Sequence, residues 1–168
     1  TLGLAGGLVV DLVNGTRIKM RHNPKEIAGA VQFFRRACFE SIGGLTPLPA
    51  GGWDVLTAVQ ARMKGFKTET FAELPVDHLK PRNVAVGHPF RRAWQMGVRD
   101  YGIGYDPGFE FLKCLGRYFE PPLLLGSVAR LGGFFWSCLN QQHRLVPAEI
   151  VRFIRHEQRR RIRSLIRL

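Results

Sequence analysis

The sequence predicts an α/β fold followed by a mostly α-helical extension, on three observations. Strand-like and helix-like patterns alternate through residues 1–82, helical spacing alone prevails beyond Pro81, and 45% of the 168 residues are hydrophobic. That composition belongs to a folded chain, and the length is that of one domain with one core.

The opening TLGLAGGLVV is apolar but carries no basic residue before it and meets Asp11 after ten positions. It is too short for a membrane span, is unlike a signal peptide, and is expected to be a strand. GLVVDLV (7–13) and TRIKMR (16–21) flank Asn14-Gly15, whose tolerance of positive φ favours a hairpin turn. After His22-Asn23-Pro24, EIAGAVQFF reads as a buried strand running into Arg35 and a short helix around ACFESI, stopped by Gly43-Gly44. TPLPAGG is a loop. From Asp54 to Lys64 the apolar residues Val55, Leu56, Val59 and Met63 keep helical spacing, with Gly65 as a natural stop, and FKTETFAEL resumes as a strand.

In the second half PFRRAWQMGVRDYG reads as a helix, IGYDPG as a turn, and FEFLKCLGRYF as a helix ending before Pro121-Pro122. LLLGSVARLGGFFWSCL is apolar and nearly long enough to enter a bilayer, but Arg130 and Gly132-Gly133 interrupt it, so it is expected to be interfacial or re-entrant. PAEIVRFIRHEQRRRIRSLIRL is an amphipathic helix with Ile150, Ile154, Ile162, Leu165 and Ile166 near one face and a stripe of Arg152, Arg155, Arg159, Arg163 and Arg167. The natural divisions are 1–82, 83–120 and 121–168.

The net charge of +12 is uneven: residues 1–80 hold 10 Lys/Arg against 7 Asp/Glu, and residues 81–168 hold 15 against 6. The second half wants an anionic neighbour, either nucleic acid or an acidic membrane surface. No helix-turn-helix, zinc-ligand or RNP-like pattern accompanies the arginines, so no specific nucleic acid is expected. Cys38, Cys114 and Cys138 are odd in number and far apart, which suits a reducing compartment rather than a disulfide framework or zinc knuckle. Thr1 in place of a methionine suggests a chain that begins inside a longer protein or after processing.

GAVQFFRRACFESIGG, then GGWD opening a helix, then ARMKGFKTETFAELPVDHLKP together resemble the acceptor-side half of a family 2 glycosyltransferase with a Rossmann-like GT-A fold. The segment from PFRRAWQMGVRDYGIGYDP onward is similar to an extension in bacterial members that build surface polysaccharides or glycolipids. The resemblance implies a hexosyl-type inverting transfer from a nucleotide-sugar donor to a glycan or lipid-linked acceptor, with Asp54 as the catalytic base. Relatives often carry Glu-Asp where this chain has Trp53-Asp54, so only the second acid's role carries over. The resemblance also implies a divalent cation, Mg²⁺ or Mn²⁺, held mainly by a nucleotide-binding half with an Asp-x-Asp motif, which this sequence lacks; the chain alone is expected to be inert.

The residues support that role independently. A base must reach the acceptor hydroxyl, and a loop-to-helix junction presents a carboxylate where the helix N-terminus favours negative charge. Gly51 and Gly52 allow unusual dihedrals and close substrate approach, and Trp53 offers an apolar face to a sugar. The alternative is a first-turn or N-capping acid beside a core tryptophan. His78, where the resemblance implies a histidine near the metal or diphosphate, is a candidate metal ligand or, when charged, a phosphate contact, with a hydrogen-bonding surface histidine as the alternative; Lys80 and Arg82 are candidate phosphate contacts or a solvated basic loop. The tail is expected to dock on the anionic inner face of the plasma membrane, making the protein cytoplasmic and peripheral, with packing on the α/β body as the alternative. Competing functions are a basic nucleic-acid-binding module and a non-catalytic membrane-associated module.

Overall fold

A long strand, β1 (Leu2–Val13), organises the first half of the chain in this computed structural model, which describes residues 1–13, 15–19, 23–79, 89–117 and 124–166. One edge of β1 pairs antiparallel with β2 (Thr16–Lys19) and, nearer its start, with the two-residue β3 (Phe33–Phe34). The other edge pairs in parallel with β4 (Lys67–His78), so the four-stranded sheet is mixed. The hairpin is present at Gly15, whose φ of 79° matches its expected turn; Asn14 lies outside the described residues.

Helix α1 (Arg36–Ser41) ends where Gly43 and Gly44 take φ of 76° and 83°, and α2 (Trp53–Met63) ends at Gly65 with φ 83°. Both stops follow from glycine's freedom in the left-handed region. Leu56, Ala58, Val59 and Ala61 of α2 are buried, and Ala58 joins Leu4, Val9, Ile27 and Val31 in the core. Each buried aliphatic side chain contributes about 1.5–3 kcal/mol.

EIAGAVQFF is not the buried strand expected. Gly29–Val31 form a 3-10 turn, only Phe33–Phe34 pair with β1, and Phe33 is exposed. The turn sits directly over β1, where a side chain at Gly6 would collide with Ile27 and the Val31 carbonyl. Its approach is held by β4: Thr68 Oγ1 donates to the Lys25 carbonyl (2.8 Å) and Thr70 Oγ1 to that of Glu26 (3.0 Å). With the Thr70 amide donating to the Pro24 carbonyl (2.7 Å) and Arg62 Nη1 to that of Lys25 (2.9 Å), these bonds stand in place of a strand ladder.

The chain divides into two units, Thr1–Ala85 and Val86–Leu168. The second contains α3 (Pro89–Ile103), α4 (Pro107–Leu115), α5 (Leu125–Leu139) and α6 (Ala148–Ile166), so the helices of the segments 83–120 and 121–168 fall in the same unit. The expected IGYDPG turn is built from Gly104 (φ 97°) and from Asp106, whose side chain caps α4 through Gly108 N (3.0 Å) and Phe109 N (3.3 Å), with Pro107 in the first turn.

Helix α5 is continuous, not broken. Its glycines mark a close crossing: a side chain at Gly133 would meet the Trp94 backbone on α3, and one at Gly97 would meet the Arg130 carbonyl. Arg130 points inward. It bonds Asp100 of α3 and, at 2.9 Å, Glu110 of α4; Lys113 lies 2.8 Å from Asp100 and 2.6 Å from Glu110. Asp100 and Glu110 are fully buried. Burial alone would raise the pKa of Asp100, but Lys113, Arg99 and Arg130 outweigh it and hold the carboxyl well below the usual carboxylate range. Burial, aided by Glu110, pushes the Cys114 thiol up to about 11, so it is a protonated core group at neutral pH.

In α6, Ile150 and Ile154 are buried as expected, but Gln158 continues that face, accepting from Asp106 N at 2.8 Å, while Leu165 is exposed. Two arginines of the expected stripe serve the fold: Arg155 donates to the Gly104 carbonyl (3.2 Å) and Arg159 to the Asp106 carboxylate (2.9 Å). Arg167 lies outside the described residues. Among the described residues no helix is long and apolar enough to cross a membrane.

Because the folded-state pKa of Asp100 is depressed, its stabilising contribution is complete at neutral pH and is lost as pH falls below the ordinary carboxylate value of about 4. Thermal melts should therefore show the helical unit weakening steeply below that pH. Asp100→Asn, which strands Arg130 and Lys113, should cost about 3–5 kcal/mol at pH 7 and flatten the acid dependence; parallel pH profiles for the two proteins would contradict the assignment.

Candidate active site

The junction leading into α2 depends on two consecutive left-handed residues, Gly51 (φ 74°) and Gly52 (φ 89°, ψ 14°). Nothing lies within 4 Å of the Cβ position of Gly51, so conformation rather than space requires glycine there. Gly52 is the N-cap and brings no side chain to the helix end, which places Trp53 first and Asp54 second in α2. Asp54 is accordingly a first-turn acid and not the cap.

Asp54 Oδ1 accepts from Val55 N at 2.9 Å, satisfying one of the amides that a helix start leaves open. Its other carboxylate oxygen receives no hydrogen bond from the described residues. The carboxylate is half-buried and thus has one anchored and one available oxygen.

Trp53 is fixed by the 3-10 turn. A side chain on Gly29 would come within 2.6 Å of the far indole ring and 3.4 Å of Asp54 Cβ. Gln32 then ties turn and helix together, with Nε2 donating to the carbonyls of Ile27 (3.1 Å) and, more weakly, Asp54 (3.4 Å). Gln32 Oε1 is buried without a hydrogen-bond partner among the described residues. Neither Gly29 nor Gln32 was singled out in the sequence, although a glycine inside a strand-like run is a mark of close backbone approach.

The structure thus groups Gly51, Gly52, Trp53 and Asp54 with Gly29 and Gln32. No hydrogen bond or ion pair among the described residues joins His78 to that group. His78 closes β4 beside Asp11 of β1, with Nδ1 at 3.0 Å from Oδ1 of the buried Asp11 side chain. Next to it, Asp77 pairs with Arg17 of β2 at 2.6 Å. Among the described residues no three His, Cys, Asp or Glu side chains form a metal-binding group. A carboxylate beside one ring nitrogen is the arrangement that commonly orients a metal-ligating histidine. Lys80 and Arg82 lie outside the described residues.

Gly29→Ala should displace the Trp53 indole and cost about 1–3 kcal/mol in urea unfolding. Adding Trp53→Phe, which removes the colliding ring, should restore most of that loss; strictly additive effects would show that the two residues do not touch. No family model, curated protein or solved structure matches this chain.

Proposed function

We propose that the chain is the acceptor-side part of an inverting, GT-A type glycosyltransferase of family 2, moving a hexosyl group from a nucleotide-sugar to a glycan or glycolipid of the bacterial surface. The observation that carries this reading is the carboxylate of Asp54, anchored through Oδ1 and available through its second oxygen, on a helix start shaped by Gly51-Gly52. The resemblance of GAVQFFRRACFESIGG and GGWD to that family supports it.

In this reading the free oxygen of Asp54 accepts the proton of the acceptor hydroxyl as that oxygen attacks the anomeric carbon. The new glycosidic bond forms as the bond from the sugar to the nucleoside diphosphate breaks on the opposite face, inverting the centre. The half-buried Trp53 indole, held in place by the turn at Gly29, supplies an apolar platform for the acceptor ring. Gln32 fixes the Asp54 backbone, a positioning role. A bound Mg²⁺ or Mn²⁺ would neutralise the leaving diphosphate, with His78 as one ligand oriented by Asp11, and Lys80 and Arg82 as further phosphate contacts.

The test is a transfer assay on the protein supplied with a nucleotide-binding half, using a panel of nucleotide-sugars. Asp54→Asn should lower kcat by about 100-fold or more with an unchanged melting temperature, because general base assistance contributes on that scale. Retained turnover in a folded Asp54→Asn protein would remove Asp54 as the base.

A further inference from the structure

Helices α4 and α5 turn their charged residues inward. Glu110, Lys113 and Arg130 face the interior, joined to Asp100 and beside the buried Cys114 and Phe134, while other large apolar residues face away from it. Phe111 and Leu115 of α4 are 50% and 58% exposed; Val128, Trp136 and Leu139 of α5 are 64%, 54% and 81% exposed. On α5 the exposed apolar residues fall within an arc of about 100°, opposite the buried residues Arg130, Gly133, Phe134 and Ser137. Arg130 and Gly133, which in the sequence interrupt the apolar run, lie on the other side of the helix. Gly132 falls within the arc between Val128 and Trp136, where the Trp94 indole of α3 lies close against it.

We propose that this α4–α5 face is a docking surface for an anionic lipid bilayer, entered to headgroup depth with α5 lying in the plane of the interface. Apolar residues with a tryptophan among them suit the boundary between headgroups and acyl chains. Charge selects the occupant. The helical unit holds 14 Lys/Arg against 6 Asp/Glu, and the acids Asp100, Asp106 and Glu110 are consumed in internal pairs. Arg152, Arg160, Arg161 and Arg163 of α6 remain exposed, so a second copy would bring like charges together, whereas acidic headgroups complement them. The proposal rests on residues 89–166 alone and stands apart from the role given to Asp54.

Flotation of the full chain with vesicles of phosphatidylcholine, with and without phosphatidylglycerol, tests it. The chain should float with the anionic vesicles. Val128→Glu combined with Leu139→Glu, at positions already exposed, should cut that binding about tenfold or more with unchanged circular dichroism. Replacing Arg160, Arg161 and Arg163 by Gln should weaken binding and remove its preference for phosphatidylglycerol. No flotation, or flotation that survives the double Glu change, overturns the proposal. A concentration-dependent dimer abolished by the same change, without vesicle binding, also overturns it by giving the face to a second copy.

Discussion

Arg130 is the group on which the helical unit turns. Asp100 and Glu110 are both fully buried, and a carboxylate stripped of water is costly unless a cation meets it. Arg130 on α5 reaches both, while Lys113 on α4 bridges the same pair, so three helices are joined at one charged node. The close crossing at Gly97 and Gly133 lets α5 approach α3 near enough for that contact. With the polar residues of α4 and α5 committed inward, apolar side chains are left outside. The exposed face is thus a consequence of the node, and the same inversion underlies the proposed bilayer contact.

The α/β unit depends on a backbone constraint instead. Two left-handed glycines turn the chain into α2 without a capping side chain, and the 3-10 turn pressed on β1 supplies Gly29 and Gln32 against the first residues of that helix. Threonines of β4 hold the turn by its carbonyls. The sheet, the turn and the helix start therefore converge on Trp53 and Asp54, whose carboxylate is held among the described residues through Oδ1 alone. His78 belongs to a different part of the sheet, beside Asp11, which fits a role separate from proton removal.

Features set by local chain chemistry were legible in the sequence. The hairpin at Gly15, the stops at Gly43-Gly44 and Gly65, and the turn between α3 and α4 each depend on a few adjacent residues, although α4 starts at Pro107, inside the IGYDPG expected to be turn. Features set by distant partners were not. EIAGAVQFF has the apolar content of a strand, and partners distant in the sequence, the threonines of β4 forty-odd residues away and Arg62 of α2, hold the chain leading into it as a turn. Arg130 looked like a defect in an apolar segment because its two carboxylates lie 20 and 30 residues upstream. The Arg stripe of α6 likewise concealed that Arg155 and Arg159 hold the α3–α4 turn. For the site, Asp54 and the glycines before it were visible as a helix start, whereas Gly29 and Gln32 join it only through tertiary contact.

The central claim is that the start of α2 receives a sugar acceptor, and amide chemical shifts of the labelled chain, titrated with a panel of mono- and disaccharides, test it most directly. The account predicts that at least one saccharide shifts the Trp53 indole N–H together with the amides of Gly51, Gly52 and Asp54, with Gly29 and Gln32 following through their contacts. Shifts confined to other residues, or none across the panel, would contradict it.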